Sequence, residues 1–112
     1  MEPKAKLWVE KKGAIVLSGY RVQLLQHIAE TGSLAEAARR MGLSYRRAWG
    51  KIREIESNLG VRLVDSEVGG VGGGSTRLTP VGERIVALYA QFEAAAQADI
   101  RRHFVELFSE EV

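Results

Sequence analysis

Apolar positions change their spacing several times along the chain, and each change marks an element. Between residues 5 and 17 they alternate loosely around Lys11-Lys12-Gly13, with Leu7 and Val9 set to face Ile15 and Leu17, which predicts a short hairpin. From Tyr20 the spacing becomes helical. Val22, Leu25, Ile28 and Ala29 form one stripe that ends at Thr31-Gly32, where glycine can take the left-handed closing conformation. Ser33 and Glu36 make a Ser-x-x-Glu capping box, so a second helix is expected from Leu34 to about Met41, stopped by Gly42. A third helix follows Ser44 as N-cap, with Ala48, Ile52, Ile55 and Leu59 as its buried face and Gly60 as its close.

Ala37 and Ala38 are small where two helices joined by so short a turn must cross closely, and Gly42 sits where the turn needs a permissive backbone. These features, in register over 33–59, predict a helix-turn-helix; an ordinary helical hairpin is the plainer alternative. Beyond Gly60, Val61 to Val64 and Thr76 to Thr79 read as short strands flanking Asp65 to Ser75, a stretch with five glycines. Two strands with such a tip make a wing over 61–79. Gly69 to Ser75 approximates the spacing of a phosphate-binding loop, but Ser75 stands where the lysine belongs and no βαβ context surrounds it.

Pro80 suits a first helical turn, and Val81, Ile85, Leu88, Phe92 and Ala95, then after a phase shift Ala96, Ile100, Phe104 and Leu107, continue a helical stripe. One helix over 80–108 would run about 43 Å at about 1.5 Å per residue, longer than so small a domain covers. Its far end calls for a partner, a second copy being the simplest; a broken helix folding back on its own domain is the alternative. The expected organisation is a winged helix-turn-helix over 1–79 and a dimerisation helix over 80–112 in the same folding unit.

At 112 residues and 46% hydrophobic composition the chain supports one domain. With no cysteine, disulfides, thiolate metal sites and a cysteine nucleophile are excluded. The start has no apolar core of signal-peptide length and no stretch approaches the roughly 20 apolar residues of a membrane span, so a cytoplasmic location without membrane contact is expected. Only His27 and His103 could act as neutral-pH bases; they lie in separate helices without a ligand cluster, so neither catalysis nor metal binding is expected.

Net charge is only +2, but its distribution is uneven: Ala37 to Arg53 carries six basic residues and no acidic one, while the tail holds Glu106, Glu110 and Glu111. A one-sided cationic face on an element shaped to enter a groove points to double-stranded DNA, although solvated helix faces also collect basic residues.

The run Ser33 to Leu63, SLAEAARRMGLSYRRAWGKIREIESNLGVRL, followed by Arg77-Leu78-Thr79-Pro80-Val81-Gly82-Glu83, resembles the winged helix-turn-helix at the N-terminus of LysR-type regulators. Ser44-Tyr45-Arg46-Arg47-Ala48-Trp49 and the wing Gly69-Gly70-Val71-Gly72-Gly73-Gly74 are more specifically similar to the DNA-binding domain of ModE-type, molybdate-responsive transcription regulators. The similarity extends from about Leu7 into the last helix. It implies a mainly α fold with small β elements, dimerisation through the terminal elements, and a palindromic operator at molybdate-uptake or molybdoenzyme genes. ModE-type regulators usually continue into C-terminal molybdate-binding modules, and this chain stops near residue 112. The resemblance therefore implies a stand-alone DNA-binding unit without a cofactor; a separate molybdate-sensing protein, a constitutive repressor and a small ligand bound between subunits are all compatible with it.

With Ala48, Ile52 and Ile55 facing the core, Tyr45, Arg46, Trp49 and Arg53 fall on the opposite or flanking side. Arg46 and Arg47 suit bidentate contact with guanine edges or contact with phosphates, and the sequence does not divide them between these tasks. Tyr45 and Trp49 could touch thymine methyls and sugars or could be partly structural; the ModE pattern favours a functional role for Trp49. Ser33 and Ser44 cap helices whose N-termini could also bind phosphate. Lys51 and Arg77 would add backbone contacts, and Gly72 and Gly73 at the wing tip would allow close approach to DNA. Val81, Ile85, Leu88, Phe92, Ile100 and Phe104 would form the dimer contact, giving two recognition helices about 34 Å apart and an inverted-repeat site. A protein-docking module built on a winged helix, without specific DNA binding, is the alternative function.

Overall fold

A computed structural model describes residues 1–67 and 75–111. The chain opens with the hairpin of β1 (Trp8–Lys11) and β2 (Ala14–Ser18), joined through Lys12 and Gly13 at φ 52° and 80°. Positive φ at both loop residues is what a type I′ turn demands, and that turn's twist matches the flanking strands. Val9 pairs with Leu17 as expected, but a bulge leaves Val16 as the extra residue and sets Ile15 opposite Glu10. Val16 is therefore the buried residue of β2 and Ile15 is exposed, because the bulge breaks the simple alternation.

Ser18 caps α1 (Gly19–Thr31) by accepting the Arg21 amide, and Gly32 closes it at φ 68°. Its buried face is Val22, Leu24, Leu25 and Ile28. Ala29 is exposed, whereas Leu24, outside the expected stripe, is fully buried. The stripe widens because α1 packs against the helix-turn-helix, β2, β4 and the last helix together.

Within the helix-turn-helix, α2 (Leu34–Arg40) and α3 (Tyr45–Leu59) cross over buried Ala37 and Ala38. Ser33 Oγ accepts the Glu36 amide at 3.1 Å, but the return half of the capping box is not made. The Glu36 carboxylate turns to Arg39 at 2.6 Å, and Thr31 Oγ1 accepts the Ser33 amide instead at 3.2 Å. At the far end Leu43 N donates to Ala38 O and Gly42 N to Arg39 O, a Schellman closure with left-handed Gly42. Leu43 then packs on the core, which fixes the angle at which α3 departs.

The wing pairs β3 (Val64–Glu67) with β4 (Ser75–Leu78), Val64 opposite Leu78. The first strand thus begins at Val64, three residues beyond its expected start, and Thr79 belongs to the last helix as its cap. The physical reason is a set of side-chain clamps. Glu56 on α3 accepts the amides of Leu63 (2.7 Å) and Val64 (3.3 Å). Thr79 Oγ1 donates to Arg62 O at 2.8 Å and accepts the Gly82 amide at 3.0 Å, while Thr79 N donates to Leu63 O at 2.9 Å. Residues 61–63 are thereby spent on a turn. Glu56→Ala, which strands two part-buried amides, is expected to lower stability by about 1–3 kcal/mol in urea unfolding, with Glu56→Gln recovering part of it. A loss below about 0.5 kcal/mol for the alanine variant would remove this role from Glu56.

The last helix, α4 (Pro80–Leu107), is continuous over 28 residues, about 42 Å. Only its first half packs on the core, through buried Gly82 and Tyr89 and part-buried Ile85 and Val86. The N-terminal segment lies along it: the Tyr89 hydroxyl donates to Leu7 O at 2.9 Å and Gln97 Nε2 to Pro3 O at 3.0 Å. Burial, with the Glu93 carboxylate nearby, raises the Tyr89 phenol pKa and keeps it a donor. The core itself is one cluster of Leu24, Leu25, Ile28, Leu34, Ala37, Ala38, Ala48, Ile52, Ile55, Leu63 and Val64.

Candidate nucleic-acid interface

α3 buries Ala48, Ile52 and Ile55, and the helical period then sets Arg46, Gly50 and Arg53 on the outward face, with Arg47 on one flank. Ser44 Oγ accepts the Arg47 amide at 3.1 Å, so the N-terminus of α3 is capped from within the chain; Ser33 does the same for α2.

The five arginines among the six basic residues of the central block separate into two groups. Arg39 pairs with Glu36 (2.6 Å) and Arg40 with Glu30 (2.8 Å), both on the α1–α2 side. The Glu36 hydrogen bond, with its charge, raises the Arg39 pKa further above the usual arginine value. Among the described residues Arg46, Arg47 and Arg53 are exposed and form no ion pair. An acidic neighbour on the same face, Glu54, is held by Arg21 of α1 at 2.9 Å. Arg21 also donates to Ile15 O, so it anchors the hairpin while offsetting a charge that would repel phosphate.

Aromatic residues extend this face. Tyr45 is 55% exposed and meets Trp49 edge-on, with ring centroids 6.5 Å apart. Trp49 is half-buried on the core, and the Arg53 guanidinium lies 5.6 Å from its ring centre. Trp49 is thus a packed residue that also orients Arg53. Lys51 turns the other way, its Nζ 5.2 Å from the Tyr20 ring, which sets it at the α1 edge of the surface. On the wing, Arg77 faces Glu67 at 3.4 Å across the strands, both exposed; so loose a pair is worth about 0–1 kcal/mol and opens easily. Gly72 and Gly73 lie outside the described residues.

The histidines stay apart. His27 lies 3.8 Å from Glu30, and His103 lies 3.9 Å from Glu106 on α4. Among the described residues no group of three or more His, Asp or Glu is arranged to hold a metal ion, and no helix is long and apolar enough to cross a membrane.

Arg21, Gly50 and Glu56 are absent from the expectations drawn from sequence. Arg21 and Glu54 belong to different helices, and no local pattern joins them; the same holds for Glu56 and the turn at Leu63. Gly50 did carry a signal, being a glycine inside a strongly amphipathic helix.

A three-helix core, a helix-turn-helix with a cationic outer face, and a two-stranded wing together define a winged helix-turn-helix protein of the DNA-binding regulatory class. The chain belongs to the lysR family of bacterial regulatory helix-turn-helix proteins, whose model matches residues 20–83. It is 41% identical over 86 residues to the molybdenum-pterin-binding protein MopB of Rhodobacter capsulatus, covering 77% of this chain and 32% of that one. It is 42% identical over 69 residues to the DNA-binding transcriptional dual regulator ModE of Escherichia coli K12, covering 62% of this chain and 26% of that one. The chain thus spans a third or less of the length of these curated relatives. The crystal structure of the CbnR DBD–DNA complex shares the fold, with a TM-score of 0.59 at 22% identity over 80% of this chain and 99% of that one. The family is one of regulators and not of enzymes.

Proposed function

We propose that the protein regulates transcription as a homodimer that reads an inverted-repeat operator with α3, and that its targets are genes of molybdate uptake or molybdoenzymes. The observation that carries this reading is that Arg46 and Arg53 on the outward face of α3, and Arg47 on its flank, are exposed and have no ion-pair partner among the described residues. In this reading Arg46 and Arg53 enter the major groove with Tyr45 and Trp49 beside them. Arg47, Lys51 and the capped helix N-termini at Ser33 and Ser44 contact the backbone. The wing adds Arg77.

Support for the homodimer comes from α4, where Val81, Leu88 and Phe92 are 43%, 50% and 48% exposed, and Ile100 and Phe104 continue the stripe beyond the core. Ile85 packs on the domain's own core and borders the same apolar groove, which Val9 and Leu17 of the hairpin complete. The molybdenum connection rests on the ModE and molybdenum-pterin-binding relatives, and a separate molybdate-sensing protein fits the reading.

The test is recovery of genomic DNA bound by the full chain, then titration of the best site at two salt concentrations. A palindrome beside molybdate-transport or molybdoenzyme genes is expected. Three cations on each of two protomers correspond to about a thousandfold loss of affinity between roughly 50 and 200 mM salt. Absence of enrichment together with salt-insensitive behaviour would sink the reading and favour the protein-docking alternative.

A further inference from the structure

We propose that Gly50 is where α3 comes closest to the base pairs: the bare backbone between Arg46 and Arg53 admits a base edge that any side chain would hold away. This inference rests on duplex binding by α3.

Gly50 lies in the interior of α3 and faces solvent, in the body of a 15-residue helix. It does not have the positive φ found at Gly13, Gly32, Gly42 and Gly60. A Cβ added to it would meet no atom within 4 Å, whereas one added to Gly82 would run into backbone. Among the described residues nothing therefore requires glycine here. Against alanine, an interior glycine lowers the folding equilibrium by roughly fivefold, and no contact among the described residues offsets that loss.

The neighbours indicate what lies outside. Arg46 is one turn before Gly50 and Arg53 one turn after, both exposed and without an ion-pair partner among the described residues, so the helix presents a low floor between two long cationic posts. A helix with its side chains is about 10–12 Å across and the major groove about 12 Å wide, which leaves little slack. Removing the leading side chain lets the axis sink toward the base edges while both guanidinium groups reach flanking bases or phosphates. Because the benefit depends on close seating, it belongs to the specific complex, whereas a loosely seated complex on random DNA does not need it.

The experiment compares the wild-type full chain with Gly50→Ala, using a duplex that the wild-type chain selects from a random pool and a random duplex of equal length. Gly50→Ala is expected to raise the urea midpoint, to weaken binding to the selected duplex at least tenfold, and to leave binding to random DNA within threefold of wild type. Affinity for the selected duplex within threefold of wild type would overturn the inference, as would equal losses on both duplexes. A fall in the urea midpoint would also overturn it, since the glycine would then have an internal cause. If the wild-type chain selects no duplex and binds neither, the underlying reading of α3 fails instead.

Discussion

Gly82→Ala is expected to destabilise the fold by about 3 kcal/mol, at the upper end of overpacking effects, and to lower Tm by roughly 10–20 °C. A Cβ at this position would run into Leu63 O and stand 3.2 Å from Leu63 C, so it meets backbone rather than the movable end of a side chain. Leu63 cannot easily yield. Its carbonyl accepts the Thr79 amide at 2.9 Å, its own amide is held by Glu56 at 2.7 Å, and its side chain is fully buried. Nor can the start of α4 easily move, since Thr79 Oγ1 ties it to Arg62 O and to Gly82 N. Against a total stability of about 5–15 kcal/mol for a domain of ordinary stability, such a loss is large. Thermal unfolding checks it; a change of less than about 0.5 kcal/mol would show that Leu63 and α4 separate freely, contrary to these clamps.

Arg46→Ala is expected to weaken operator binding by about 1–3 kcal/mol, roughly 5- to 150-fold, while leaving thermal stability nearly unchanged. The side chain is exposed, has no ion-pair partner among the described residues, and supports no part of the core. Two forms of loss assign its task. If binding to random DNA is spared and discrimination at one base position relaxes, Arg46 reads a base. If specific and random duplexes lose equally and the salt slope falls by about one per protomer, it serves a phosphate. No loss on either would remove α3 from the interface, because Arg46 is the charged residue nearest the centre of its outward face.

The helix-turn-helix was legible because its signals are local. Ser33, Ser44, Gly42 and Gly60 act within a turn of where they stand, and the alternation of Ala48, Ile52 and Ile55 with arginines states which face is buried. The start of α4 was equally clear from Pro80, while its apolar stripe shifts phase after Ala95 and left a broken helix open; the structure gives one continuous helix. Local signals failed where two segments compete for the same residues. Val61 to Val64 has strand character, yet Glu56 and Thr79 take 61–63 for a turn, and strand pairing starts at Val64. Ile15 alternates correctly on paper, but the bulge at Val16 gives the core a different residue of the same strand. Leu24 lies outside the stripe of α1 and became buried because that helix is covered from several sides.

The candidate interface divides in the same way. Which residues could carry positive charge to DNA was evident from composition along α3; which of them are free to do so was not. Arg39 and Arg40 look like Arg46 and Arg47 in sequence, and only the approach of Glu36 and Glu30 commits the first pair internally. The neutralising of Glu54 by Arg21 joins two helices and has no sequence signature. By itself, then, the sequence determined the helices, the caps at Gly32, Ser33, Ser44 and Gly60, the buried face of α3 and the cationic block, because each depends on interactions spanning at most a turn or two. Tertiary structure alone decided the wing's register, the seating of Gly82 on Leu63, and the pairings of Arg40 with Glu30 and of Glu54 with Arg21. Those outcomes turn on contacts between residues far apart in the chain, whose geometry exists only once the core has closed.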